Sequence, residues 1–465
     1  MTNPLRPYQA EAAAQGFHVV QEWGGFYIQH DPGMGKTLTT IALARLLKVR
    51  RICVVCPPVA IGVWRREIGK WWPDATRERS DVFFNIVSYD SLYDPLPSDL
   101  GAKRRTQGRS RLQDLCDWSP ELLVLDEAHY AKSPDSKRTK ACMQLARFSI
   151  YRVLLSGTPT HNVLDAWAQY RMIAPDEPLF KLTYSQFRNE MVVLGGPNGN
   201  WPMKDKSTGE LRFKPRAREA LAEATITYTH VATADMMELA EPVETVVPFQ
   251  LSTVEQTAYD YMEKRLRADL PDGTEVEAEI ILTKLLRLTQ IAAGHATNTK
   301  GDTVNIGTSR LDTTLGILAE RPDQKVVIAC RFKRDIQLLR DELNAQGRAV
   351  CIIDGSVSPK TRTQLEDWFQ RPDTNRSAVM LLQYQAGGTA ITLHAAHTLI
   401  LYTLDLSVIR YRQMLGRIWR LGQKGLCEVI VPVAENTQDE QALAGLKSGD
   451  DNRLAKLLLD RLRRR

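Results

Sequence analysis

The sequence predicts an α/β protein of two tandem lobes. Each is a parallel sheet flanked by helices, and a helical insertion lies between them. Three observations predict it. Short apolar runs alternate with helical periodicities over residues 25–156, the rhythm of strand–helix–strand units. The same rhythm returns over 325–433. Between about 176 and 308 it lapses, and apolar residues fall at helical spacing instead. The expected divisions are a first lobe over 1–175, helical protrusions and linker over 176–308, a second lobe over 309–435, and a basic C-terminal helix over 436–465.

The elements follow in order. Pro7 opens a short helix carrying Ala10, Ala12, Ala13 and Ala14. Residues 25–28 read as a buried strand. Leu38, Ile41, Ala42, Arg45 and Leu46 then recur at helical spacing. A strand over 51–57 stops at Pro57-Pro58, and a helix follows over 63–72. Further strands are expected at 83–88, 122–125 and 151–155. A loop over 195–214 precedes helices at 217–224, 254–266 and 276–293. The last carries Ile280, Lys284, Leu285, Leu288 and Ile291 along one side. The second lobe reads as strands at 325–330, 349–353, 378–382, 398–402 and 429–433, with helices at 334–343 and 408–419.

The chemistry starts at His30-Asp31-Pro32-Gly33-Met34-Gly35-Lys36-Thr37, set between a strand and a helix. Gly33 and Gly35 let backbone N–H groups close around phosphates. The helix start adds partial positive charge. Lys36 reaches terminal phosphates, and the Thr37 hydroxyl suits Mg²⁺. The usual G-x-x-x-x-G-K-T pattern has glycine where this chain has His30. The partner carboxylate is Asp126, delivered by the apolar run 122–125 to a strand end, where α/β sheets bind ligands. Asp126 would hold Mg²⁺, and Glu127 would deprotonate the attacking water. In the second lobe Arg417 and Arg420 sit one helical turn apart and are expected to share a face. Arginines of this kind stabilise charge in phosphoryl transfer and are worth about 10³–10⁵ in rate. They point to a composite site whose hydrolysis depends on lobe closure.

Composition sets the limits. The 465 residues are 43% apolar and 25% charged, ordinary for a globular chain of two to four domains. No segment approaches the roughly 18 apolar residues that span a membrane. The N-terminus lacks the apolar core of a signal peptide, so a cytoplasmic protein is expected. Seven cysteines are scattered. Cys53 and Cys56 have C-x-x-C spacing inside an apolar run, which predicts buried strand thiols rather than a metal site. His394 and His397 are read as structural. The net charge of +6 is mild, but basic runs occur at Lys103-Arg104-Arg105, with Arg109 and Arg111, and over 461–465.

Taken together these motifs resemble the Swi/Snf (chromatin-remodeller-type) branch of the superfamily-two helicase-like ATPases, in a compact form. Leu5-Arg6-Pro7-Tyr8-Gln9 resembles the adenine-side motif, with Gln9 on the adenine. The loop ending in Lys36-Thr37 resembles the family's D-E-M-G-L-G-K-T. Asp126-Glu127-Ala128-His129 and Ser156-Gly157-Thr158-Pro159 match family motifs, and Asp354-Gly355-Ser356 resembles another. Gln413 through Gln423, read as Q-x-x-G-R-x-x-R-x-G-Q, is the most diagnostic segment. Trp419 stands where the family has histidine, and Ala390 where it has glycine.

The resemblance implies RecA-like lobes and an ATP- and Mg²⁺-dependent motor that moves along duplex DNA through sequence-independent phosphate contacts. It implies coupling roles for His129, Ser156, Gly157, Thr158 and Gln413. Implied DNA contacts are Ser88, Tyr89, Arg331, Gly387 and Gly388. The work expected is DNA replication, recombination or repair, with protein partners in such a complex and no membrane partner. Compactness suggests a bacterial cell or a virus-infected host cell. Two alternatives stand beside this reading. One is a strand-separating DNA or RNA helicase. The other, motivated by His30, Ala390 and Trp419, is a regulatory module that binds ATP and nucleic acid without turnover.

Overall fold

The computed structural model describes residues 5–449 except 78–79, 94–109, 158–162, 196–200, 204–210, 238, 269–277, 298–301, 373–375, 388–390 and 421, together with 453–454 and 457–458. Lys103, Arg104, Arg105, Arg109, Thr158, Gly388, Ala390 and the 461–465 run therefore lie outside the described residues. The chain divides into two units, Met1–Met237 and Glu238–Arg465.

The first unit is built on six strands: β1 Gly25–His30, β2 Arg51–Cys56, β3 Phe83–Ser88, β4 Leu122–Asp126, β5 Tyr151–Ser156 and β6 Thr229–Ala232. Their order is β3-β2-β4-β5-β1-β6, and every pairing is parallel. A parallel sheet is covered on both faces, so its strands read as continuous apolar runs. Here the pleat sorts them. Tyr27, Cys53, Val55, Leu123 and Leu125 enter one core, where the helices Lys137–Arg147 and Asp165–Ile173 pack. Phe26, Ile28, Val54, Cys56 and Val124 enter the other, under α1 (Pro7–Trp23), α2 (Lys36–Leu47) and α3 (Ala60–Trp71). Cys53 and Cys56 thus face opposite cores, which excludes a shared metal. All seven cysteines are buried free thiols, and Cys53 and Cys56 are strand thiols as their apolar run predicts. Among the described residues, no group of three His, Cys, Asp or Glu could hold a metal ion.

The second unit repeats the plan. Its strands are β7 Val243–Phe249, β8 Val326–Cys330, β9 Val350–Ile353, β10 Val379–Gln383, β11 Thr398–Leu401 and β12 Glu428–Ala434. The order is β9-β10-β8-β11-β12-β7, again all parallel. Alternate residues of β8, Val327 and Ala329 against Val326 and Ile328, enter opposite cores. The helix α4, Val408–Ile418, packs Val408, Met414 and Ile418 into the core on the Val327 side.

The expected insertion over 176–308 divides differently. β6 and β7 both lie inside that stretch and form outer strands of the two sheets. The helices Thr253–Ala268 and Ala278–Ala292 bury Tyr259, Leu285, Leu288 and Ile291 in the second unit's core. The helix Ala217–Ile226 belongs instead to the first, through Ala217. The physical reason is that β6 has four residues and β7 exposes Val243 and Val246. Neither carries the apolar run that marks an interior strand. Among the described residues, no helix is long and apolar enough to cross a membrane.

Candidate functional site

The glycine loop leaves β1 at His30 and enters α2 at Lys36. Gly33 and Gly35 adopt φ of 88° and 74°, which side chains rarely tolerate, and Gly35 is the N-cap of α2. Lys36 Nζ donates to the carbonyls of His30 at 2.8 Å and Asp31 at 3.4 Å. Thr39 and Thr40 donate their hydroxyls to the carbonyls of Gly35 and Lys36. Thr37 makes no such bond among the described residues. Tyr8 and Gln9 reach Met34 O at 3.1 and 2.9 Å, and Gln9 Oε1 accepts from Arg6 N at 3.0 Å. The amide of Gln9 therefore braces the loop from α1.

Asp126 ends β4, two places from β1 in the sheet, with β5 between them. Its Oδ2 accepts from Trp64 Nε1 at 2.8 Å. Burial, then the neighbouring Glu127 carboxylate, push its pKa up to about 6, against the opposing pull of Trp64 and Lys36. Asp126 is half-buried, and its carboxylate and the hydroxyl of Thr37, in the first turn of α2, are hard oxygen donors of the kind that suit a cation such as Mg²⁺. Glu127 has φ of 54°, an uncommon conformation for a residue with a side chain. Its carboxylate lies 3.3 Å from His129 Nδ1. Gly157, at the end of β5, lies against the loop. A Cβ there would come within 3.1 Å of both Lys36 Nζ and Pro32. Ser156 is fully buried and bonds the Tyr27 hydroxyl.

Sequence reasoning missed a clamp on the loop. His30 Nε2 and His230 Nδ1 are 3.0 Å apart. Asp31 N donates to Ala232 O at 3.0 Å, and Ala234 N donates to Asp31 Oδ2 at 2.9 Å. Residues 230–234 hold the loop from β6, and the residue in place of glycine is one of the grips. Burial first, then the charges of His230 and Lys36, lower His30 to about 3, so the pair is neutral and one ring donates to the other. Nothing in local pattern links residues so far apart in the chain.

In the second unit, α4 ends at Ile418, with Trp419 at its C-cap, so Arg420 lies beyond the helix. The expected shared helical face is corrected to a shared carbonyl. Arg417 Nη1 and Arg420 Nη1 donate to Ile391 O at 3.3 and 3.4 Å. Arg417 is 7% exposed. Gln413 is half-buried on the same helix. Trp419, in the histidine position, donates its indole N–H to Ala240 O at 3.0 Å.

Of the residues expected to touch DNA, Ser88 and Tyr89 are buried. Tyr89 is 1% exposed, and its hydroxyl donates to Asp126 O at 2.9 Å. Ser88 is 8% exposed and its hydroxyl accepts from Ser91 N. Arg331 pairs with the buried Asp405 at 3.1 Å. Gly387 ends a short helical turn after β10. His394 bonds Gln370, and His397 lies against Gly425, in line with structural roles.

Comparison with known proteins bears on these arrangements. Residues 8–296 match the SNF2-related domain, and residues 309–422 match the helicase conserved C-terminal domain. The chain is 26% identical over 496 residues to the DNA repair protein rhp54 of Schizosaccharomyces pombe, covering 94% of this chain and 56% of that protein. It is 25% identical over 514 residues to the DNA repair and recombination protein RAD54-like of Drosophila virilis, covering 95% and 62%. The chain thus spans between half and two thirds of the length of these relatives. Among solved structures it resembles the Sulfolobus solfataricus SWI2/SNF2 ATPase core in complex with dsDNA, at 22% identity and a TM-score of 0.43, covering 96% of this chain and 92% of that one. The SNF2-related match takes in more than half of the residues, and the chain belongs to the SNF2-related family of the helicase superfamily-two ATPases.

Proposed function

We propose that the protein is a DNA-dependent ATPase that uses ATP hydrolysis to move along duplex DNA, in DNA repair or recombination. The observation that carries the reading is the first lobe's assembly at its strand ends. Lys36, Asp126, Glu127 and Gly157 converge there in a chain of the SNF2-related family. Gly33, Gly35 and the start of α2 bind the phosphates, and Lys36 exchanges its two carbonyl partners for phosphate oxygens. Gln9 is the residue we assign to the adenine. Thr37 and Asp126 would hold Mg²⁺, which when bound would neutralise charge on the phosphates. Glu127, oriented by its own backbone and by His129, takes the proton of the attacking water. Arg417 and Arg420 supply cations for the charge that develops on the transferred phosphoryl group. Ser156, Gly157, Thr158 and Gln413 carry the coupling.

DNA repair and recombination are the work named for the relatives rhp54 and RAD54-like. The resemblance to a family that tracks phosphates favours sequence-independent binding that weakens with salt. Of the contacts considered, Arg331 and the turn ending at Gly387 are the ones we assign to the DNA side. Tyr89 acts through the Asp126 strand end instead, and the Ser88 hydroxyl is engaged by Ser91 N. The test is ATP turnover against a panel of duplex DNA, single-stranded DNA and RNA. Duplex should stimulate most, and a stronger response to RNA overturns the reading.

A further inference from the structure

Asp405 is a buried carboxylate with no part in the chemistry above. It lies just beyond β11, ahead of α4, and is 2% exposed. Its two oxygens face two different arginines. Oδ1 is 3.1 Å from Arg331 Nη1, at the end of β8. Oδ2 accepts from Arg410 Nη1 at 2.9 Å, in the first turn of α4. The same carboxylate acts on the buried phenol of Tyr384, which begins the turn ending at Gly387. One charge thus joins three chain segments: the end of β8, the turn after β10, and the helix that bears Gln413 and Arg417.

The Arg331 end is itself fixed. Arg331 N donates to Thr403 Oγ1 at 2.8 Å, and the Thr403 hydroxyl donates to Asp335 Oδ2 at 2.7 Å. Asp335 Oδ1 is 2.8 Å from His295 Nε2. Arg331 O accepts from the Gln383 amide at 3.4 Å. The Arg410 end is freer, with its side chain 41% exposed. A buried carboxylate that loses one of two cations is left undercompensated, so a pull on either arginine is felt at the other.

We propose that Asp405 is a positioning residue that couples the DNA side of the second unit to its arginine-bearing helix. A phosphate drawing on Arg331 weakens its hold on Asp405, and the carboxylate shifts toward Arg410 and resets the first turn of α4. The inference rests on the DNA-dependent ATPase reading and adds a device for the dependence. The device needs no contact between Asp405 and either ligand, so binding of both survives its loss.

The experiment measures kcat and KM for ATP with and without a short duplex, binding of a fluorescent ATP analogue, and duplex binding by anisotropy. It compares the parent with Asp405→Asn. Coupling energies of this kind predict a loss of about tenfold in the duplex stimulation of kcat, with both affinities within about twofold. Should Asp405→Asn fold poorly, Arg410→Ala changes a half-exposed side chain and should lose about threefold of the stimulation. Full stimulation in both variants overturns the coupling. So does an equal fall in unstimulated turnover, binding and thermal midpoint, since that is structural damage alone. A parent that duplex does not stimulate overturns the translocase reading and the coupling with it.

Discussion

The two units share a sheet order, yet only one carries a phosphate loop. The fifth strand of the first sheet is β1, and the fifth of the second is β12. After β1 the chain turns through Gly33 and Gly35, and Lys36 meets the loop carbonyls of His30 and Asp31. After β12 it runs Glu435-Asn436-Thr437-Gln438-Asp439, with the last three buried. Those polar groups are spent inside the fold. Asp439 pairs with the buried Arg310, whose other N–H groups go to Ala292 O, Tyr402 O and Pro432 O. Gln438 Nε2 donates to Leu285 O and meets Thr289. The same scaffold position becomes a ligand site when the loop keeps its N–H groups available, and a structural lock when side chains fill it.

This contrast can be broken experimentally. The largest effects should come from the chemistry of the first unit and the arginines of the second. Glu127→Gln should cut ATP turnover by about 10²–10⁴ while a fluorescent ATP analogue still binds. If turnover in the parent is no higher, the protein is a binding module instead. Arg417→Ala should cost about 10³ in turnover with nucleotide binding kept. An equal loss of binding contradicts a role confined to the transition state.

A second effect should fall on stability. Arg310→Met removes one partner of a buried pair and leaves Asp439 uncompensated, at a cost of about 3–5 kcal/mol. Denaturant titration should show an early transition in the second unit, with nucleotide binding by the first retained. A single unchanged transition would show that the lock is not what holds that unit.

The remaining effects concern pH and belong to the first unit's side of the comparison. Asp126 is held up to about 6, so its carboxylate gains a proton as pH falls through that value. Half-saturating Mg²⁺ for turnover should therefore rise several-fold between about pH 7 and 5. His30 works on stability with a definite sign. Its value in the folded protein, about 3, lies below the unfolded 6.5. The neutral pair is intact above about 6.5, and stability drains as pH falls from there toward 3, by up to ~1.4 kcal/mol per unit. Asp126 has the opposite sign and gains as pH falls from about 6 toward 4. His230→Ala should flatten the His30 part of a thermal-unfolding profile against pH.

Local pattern was sufficient for much of this molecule. Interior strands are apolar because both sheet faces are covered, so β1, β2, β4, β8 and β10 were legible as runs. The glycine loop, the Asp126 strand end and the Q-x-x-G-R-x-x-R-x-G-Q segment were legible because each is contiguous and its chemistry demands its spacing. Tertiary structure alone decided the rest. It assigned β6 and β7 to outer positions, where half-exposed strands lose the apolar signature, and moved the division to Met237 and Glu238. It paired His30 with His230, joined Arg417 and Arg420 on the Ile391 carbonyl, and set Asp405 between Arg331 and Arg410. Periodicity reports which side of an element is buried. It is silent on which distant polar group waits there, and in both lobes that partner separates a site from a strut.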